Sequence, residues 1–321
     1  MSRALRPLLP VVDTLLDRAV VPGYSKLGYA LRRSWWDADL PADALLGHCV
    51  VVTGANSGLG RATAAGAARL GATVRMLCRD LGRGQRAREE ILADCPDATV
   101  VVDECDLSSL KSVRAAAARL RDELPSLRGL VHNAGVMPPE RTETDDGHEL
   151  TVATHVLGPH LLTAELQPLL AADSDARVVF VSSGGMYTSR LRTDDPEFHE
   201  GTYGGAAAYA RTKRMQVVLA QLWAQRLPGV GVHAMHPGWA GTPGITDSLP
   251  RFARLVGPIL RSAEQGADTA VWLLGAPAAG RTSGLFWHDR RPRPTSYLPF
   301  TRSTPQEAER LWDYCAVATR G

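Results

Sequence analysis

Tyr209-Ala-Arg-Thr-Lys213 places a phenol and an ammonium four residues apart. On a helix, residues i and i+4 share a face, so both groups point the same way. A free phenol titrates near pKa ~10, and a neighbouring cation favours the phenolate. The spacing therefore predicts a tyrosine of lowered pKa that can exchange a proton with an alcohol or carbonyl oxygen near neutral pH. Tyr203 has no lysine at its own i+4 position. Ser182 and Ser183 end an apolar run, Val178–Val181, and open the loop Gly184-Gly185-Met186-Tyr187. A serine there can bond its own backbone in a turn or donate to a substrate carbonyl. No G-x-S-x-G elbow surrounds it, which excludes an acyl-hydrolase nucleophile.

These residues need a scaffold, and the stretch from Val50 to Gly60 is its clearest sign. Four β-formers, Val50–Thr53, run into Gly54-Ala-Asn56-Ser57-Gly58-Leu59-Gly60, and Arg61–Leu70 then reads as a helix. Glycine serves where backbone turns tightly or approaches a ligand closely. The N-terminus of a helix beyond such a turn offers free N–H groups to a pyrophosphate. Further strands are expected at Ala72–Cys78, Thr99–Glu104, Leu127–Asn133, Arg177–Ser183, Val230–His236 and Ser283–Trp287, with helical stretches between them. The helix Ser108–Glu123 takes Ser108 as its N-cap, and a long helix is expected around Asp146–Leu170. Alternation of apolar strands with helices predicts an α/β fold: one doubly wound, Rossmann-type parallel sheet of about seven strands, covered on both faces. Ligands in such sheets bind beyond the carboxyl ends of the strands. Asp106-Leu107, Asn133-Ala134-Gly135 and Pro237-Gly238-Trp239, with Thr242 just beyond, all fall there.

The bulk composition narrows the class. Hydrophobic content of 45% and charged content of 22% fit a globular chain. A formal net charge of +2 gives no case for nucleic acid. Only three of the 36 basic residues are lysines. The five cysteines are odd in number and form no C-x-x-C pair, which points to free thiols in a reducing, cytoplasmic setting. The histidines, His233 and His236 among them, lack a third clustered ligand and read as structural, with no metal site. Residues 1–46 form an arm ahead of the domain at 47–321. Within the arm, Pro10–Val20 has helical apolar spacing interrupted by Asp13, Asp17 and Arg18, which argues against a spanning helix. Its basic residues with Trp35 and Trp36 fit contact with a membrane surface; the alternative is an arm packed on the domain by its apolar face.

Taken together, Thr53–Gly60, Asp106-Leu107, Asn133-Ala134-Gly135, Ser183, Tyr209/Lys213 and Pro237-Gly238 resemble the short-chain dehydrogenase/reductase family. The resemblance implies an NAD(P)(H)-dependent oxidoreductase that interconverts an alcohol and a carbonyl compound. Tyr209 would be the acid/base. Lys213 would bind the nicotinamide ribose and depress the tyrosine pKa, and Ser183 would polarise the substrate oxygen. The cofactor would lie along Gly54, Asn56, Ser57, Gly58, Leu59, Gly60, Asp106, Leu107, Asn133, Ala134, Gly135, Tyr209, Lys213, Pro237, Gly238, Trp239 and Thr242. The family's fourth catalytic residue is an asparagine; here that position falls on His155, or on Thr154 if the register shifts by one. The second strand ends in Cys78-Arg79 where NAD-preferring sheets carry an acid, so Arg79 argues for NADP(H) over NAD(H) through its fit to a phosphate. Tyr187, Trp239 and the segment 241–261 would border an apolar, lipid-like substrate, or act as a lid over the cofactor. The alternative reading is a nucleotide-binding regulatory or scaffold protein of the same fold with little turnover. The partners expected are a small carbonyl or alcohol and, in a homo-oligomer, a second copy of the chain.

Overall fold

The apolar runs pair as their alternation with helices predicts. The computed structural model describes residues 9–241, 254 and 256–320. Its strands are β1 (Cys49–Thr53), β2 (Thr73–Cys78), β3 (Val100–Glu104), β4 (Gly129–His132), β5 (Arg177–Val181), β6 (Gly231–Met235), β7 (Phe286–His288) and β8 (Arg291–Arg293). They form one sheet in the order β3-β2-β1-β4-β5-β6-β7-β8. The pairings from β3 across to β7 are parallel. Side chains alternate between two cores. Val51, Leu77, Leu130 and Phe180 face one, and Val50, Val52, Met76 and Val131 face the other. This is why the strands read as unbroken apolar runs.

β8 is an addition to the seven strands expected, and it lies in the proline-rich stretch from Arg290 to Pro299. Asp289 and Arg290 both take positive φ, 52° and 58°, the backbone of a tight two-residue hairpin turn. Pro292 is tolerated in β8 because the strand is at the sheet edge and need not donate there. Two helix boundaries also differ. Ser109, not Ser108, caps the helix Leu110–Glu123 by accepting from Ser112 N, because Ser108 is occupied with the Asp106 carboxylate. The long helix begins at Leu150 and widens to a π-helical turn at Ala153–Leu157 before Gly158–Glu165. A proline at 159 explains the break, because it has no N–H for the carbonyl four residues back.

The arm packs on the domain, but by the face opposite to the one expected. Asp13 and Asp17, i and i+4 on the helix Leu9–Arg18, are buried, whereas Val11 and Leu15 on the other side are exposed. The acids that interrupt the apolar run are the docking face. Arg32 Nε donates to Asp13 at 2.8 Å, and Arg32 Nη1 donates to Asp289 at 2.7 Å. Arg293 grips Asp13 with two hydrogen bonds, and Arg261 grips Asp289 likewise. Burial opposes ionisation of Asp13, but Arg293 and Arg32 outweigh it and hold its pKa below the usual value. The stabilisation is therefore full above the unfolded carboxylate pKa of ~3.9 and is lost as pH falls below it, through the lower folded value. Removing one member of a buried ion-pair cluster leaves it with an uncompensated charge, at about 3–5 kcal/mol. Arg32→Met should accordingly lower unfolding stability by about that amount in urea denaturation. A variant as stable as the parent would show that the network does not hold the arm.

Candidate active site

The site grows from the carboxyl ends of β1 and β4. Thr53 is the last residue of β1, and its hydroxyl accepts from Asn133 N at 3.0 Å and from Ala134 N at 3.1 Å. The Asn133 carboxamide donates back to Thr53 O at 3.0 Å. Gly54 follows at φ +62°, and a Cβ there would stand 2.8 Å from the Ala134 backbone. Gly60 also has no room for a side chain, because a Cβ would run into the Gly54 carbonyl and the Asn133 amide. These glycines bring the turn and the helix Gly58–Arg69 close against the sheet. Ser57 precedes that helix without a side-chain hydrogen bond to it, so its first N–H groups face a cleft suited to a pyrophosphate.

The cleft has a volume of about 430 Å³. Gly54, Asn56, Ser57, Gly58, Leu59, Arg79, Asp106, Leu107, Asn133, Ala134, Gly135, Ser183, Tyr209, Lys213, Pro237 and Gly238 line it. Gly60 is not on its surface; it supports the turn from beneath. Trp239 is also off the lining, and its backbone pairs with the arm, donating to Tyr24 O at 2.8 Å. Thr242 and most of 241–261 lie outside the described residues. Tyr187 is not on this lining either; it packs beside Phe286 and Tyr297, with its hydroxyl donating to Pro294 O at 2.7 Å. The sequence reading missed Leu77, Arg83, Cys105, Val136, Met137 and Val181 as lining residues. The strand-end rule reaches Val181, and Arg83 lies a turn into the helix after β2.

At the far end of the cleft, Tyr209 and Lys213 share a face of the helix Gly205–Arg226, with Lys213 Nζ 5.3 Å from the phenol ring centroid. The geometry is the expected one, but the electrostatics are not. Burial raises the Tyr209 pKa, and a hydrogen bond from Ser183 opposes this only in part. Burial also lowers Lys213 to about 7. The expected depression of the tyrosine by the lysine is therefore corrected for the folded chain alone: burial opposes the charged form of both groups. Ser183 caps the short turn Gly184–Thr188, its hydroxyl accepting from Gly185 N at 3.2 Å.

His155 is brought next to this group but does not open onto the cleft; Thr154 does. Val136 N donates to His155 Nε2 at 2.9 Å, so Nδ1 carries the proton and donates to Thr212 Oγ1, 2.8 Å away. Burial, then the charge of Lys213, keeps the ring neutral. Both nitrogens are committed, so the ring supports the Asn133–Val136 turn and offers no free group to a substrate. His233 and His236 are buried within the sheet packing. Among the described residues, no three His, Cys, Asp or Glu side chains are placed to hold a metal.

A glycine cradle at a helix N-terminus, closed by a Ser–Tyr–Lys group at the sheet's carboxyl edge, defines a Rossmann-type oxidoreductase that binds a nicotinamide dinucleotide. The short chain dehydrogenase family model matches residues 48–249, and the chain belongs to that family of NAD(P)-dependent dehydrogenases acting on CH–OH groups. It is 42% identical to dehydrogenase/reductase SDR family member 12 of Bos taurus, over 90% of this chain and 91% of the relative. It is 37% identical to retinol dehydrogenase 12 of Bos taurus, over 84% and 85% of the two chains. In fold it is similar to a short chain dehydrogenase of Escherichia coli complexed with NADPH, at 23% identity and TM-score 0.66, covering 78% of this chain and all of that one.

The Thr53 clamp gives a direct test of how the cleft is held. Thr53→Val keeps the side-chain shape and removes the acceptor for two backbone N–H groups. An unsatisfied buried donor costs about 1–3 kcal/mol, so the variant should lose at least that much in urea denaturation and bind NADPH more weakly. Unchanged stability and affinity would show that the turn does not depend on this hydroxyl.

Proposed function

We infer that the protein is an NADP(H)-dependent oxidoreductase that interconverts an apolar alcohol and its ketone or aldehyde. The observation that carries this reading is the convergence of Ser183, Tyr209 and Lys213 at one end of a cleft whose other end holds the glycine cradle. The cofactor, when bound, supplies or accepts the hydride. In the reducing direction Tyr209 gives its phenol proton to the substrate oxygen, and in the oxidising direction its oxygen takes that proton. The Ser183 hydroxyl directs a hydrogen bond at the same oxygen, where charge develops. Lys213 holds the ribose and the phenol in register.

The preference for NADP(H) rests on Arg79 and Arg83, which both line the cleft beyond β2. The one acid beside them, Asp80, is engaged as the N-cap of the helix Leu81–Asp94, accepting from Arg83 N at 2.9 Å. Two guanidinium groups and a committed carboxylate favour a 2′-phosphate over a free ribose hydroxyl pair. Val136 and Met137 give the lining an apolar margin, and the relative named retinol dehydrogenase makes retinaldehyde a rational first probe. Tyr209→Phe should abolish NADPH-dependent reduction of such a probe and spare the rise in melting temperature that NADPH produces. Arg79→Gln should erase the preference for NADPH over NADH. Turnover surviving Tyr209→Phe would sink the mechanism, and an equal thermal response to both cofactors in the parent would sink the preference.

The outward face of the arm supports contact with an anionic lipid surface. Val11, Leu15, Val21 and Leu27 are each more than half exposed. Arg18 and Lys26 are exposed among them, and Asp13 and Asp17 are turned inward, while Arg33 at the far end of the arm is paired with the exposed Asp39. Exposed apolar side chains with Arg18 and Lys26 among them suit a negatively charged bilayer. No helix of the described residues is long and apolar enough to cross a membrane. The chain should sediment with phosphatidylserine-containing vesicles and much less with phosphatidylcholine alone, and Val11→Asp with Leu15→Asp should release it. Equal recovery with both vesicle types, or a dimer built on this face, would overturn the assignment.

A further inference from the structure

Between the helix Gly205–Arg226 and the π turn Ala153–Leu157 runs a buried hydrogen-bond chain that the function above does not use. Lys213 Nζ donates to Val181 O at 2.8 Å and to Gln216 Oε1 at 3.0 Å. Gln216 Nε2 in turn donates to His155 O at 2.9 Å. Gln216 is fully buried. The amide can face only one way, because an ammonium only donates and a carbonyl only accepts. The His155 carbonyl needs such a donor. Its α-helical partner would be the N–H of residue 159, which is a proline and has none. The missing N–H in one helix and the glutamine three residues after Lys213 in another thus answer each other.

We propose that Gln216 is a positioning residue of the active site: its carboxamide fixes the Lys213 ammonium beside Tyr209 by bracing it against the backbone of His155. This rests on the role assigned to Lys213 above. Positions i and i+3 share a helix face, so the lysine and the glutamine reach the same side. The carboxamide accepts from the ammonium without neutralising it. It positions and does not relay, because its donor and acceptor ends are fixed by their partners. The titratable groups facing Lys213 are Tyr209, on its own helix, and His155, on the packed π turn. The latter stays neutral, so a change at Gln216 acts on Lys213 against a constant background.

The chain's three lysines, Lys26, Lys111 and Lys213, make a direct measurement accessible. The full chain, labelled with ¹³C-lysine, is titrated by NMR without cofactor, and the Lys213 signal is assigned by its absence in Lys213→Arg. The parent midpoint should lie near 7, since burial lowers it there. Gln216→Met keeps the shape and removes the acceptor, so the midpoint should fall by about one unit. Gln216→Glu keeps the length and sets a carboxylate against the ammonium, so it should rise by about one unit. Opposite shifts support the proposal. Midpoints that stay put in both variants, or move the same way, overturn it and leave Gln216 as packing between helices. Because no cofactor is present, this result stands apart from a failure of the chain to bind NADPH, which would count against the proposed function instead.

Discussion

The turn that leaves β1 must cross the end of β4 with no side chain between them. Gly54 meets this condition twice, by its positive φ and by its contact with Ala134. The Thr53 hydroxyl and the Asn133 carboxamide then lock the two strand ends together. Everything the cleft does follows from that closeness. It sets the helix Gly58–Arg69 low enough for its N–H groups to reach a phosphate. It also places Val136 where its N–H can hold the His155 ring. The crossing lies where the strand order reverses, between β1 and β4, which is where an open parallel sheet leaves a crevice for a ligand.

A second constraint ties the arm to this site. Three carboxylates, Asp13, Asp17 and Asp289, are buried with three guanidinium groups, Arg32, Arg261 and Arg293. They come from the arm, from the end of the stretch after β6, and from the β7–β8 hairpin. Burying charge is costly unless it is paired, so the formal balance of the cluster specifies one docking pose. That pose seats Tyr24 against Gly184, where a Cβ would stand 2.7 Å from the tyrosine ring, one residue beyond Ser183. It also joins the Tyr24 carbonyl to the backbone of Trp239. The arm thus buttresses the loops that follow β5 and β6 from outside the cleft.

The architecture was legible because it rests on local rules. Apolar runs such as Val50–Val52 and Val178–Val181 cannot be satisfied except inside a covered sheet, and glycines at a strand-to-helix turn have few other uses. The arm was misread because hydropathy assigns the apolar face inward. Nothing in the sequence from Leu9 to Arg18 shows that Arg32 and the distant Arg293 converge on Asp13, or that Arg293 also reaches Asp17. The β7–β8 turn was hidden for a similar reason, since an Asp-Arg pair at positive φ is not a common turn signal. His155 was placed correctly in the long helix, yet its role depends on Val136 N and Thr212 Oγ1, two partners that only the fold brings together.

The pair at the centre of the chemistry shows the limit most sharply. An i, i+4 spacing fixes where a phenol and an ammonium stand, but not which of them is charged. That depends on what surrounds them. Lys213 is buried with neutral acceptors, Val181 O and Gln216 Oε1, and burial accounts for its lowered pKa. The polypeptide therefore positions this cation without supplying its counter-charge. Spacing therefore fixes the geometry of the pair, while the burial of both groups, which opposes the charged form of each, decides its ionisation.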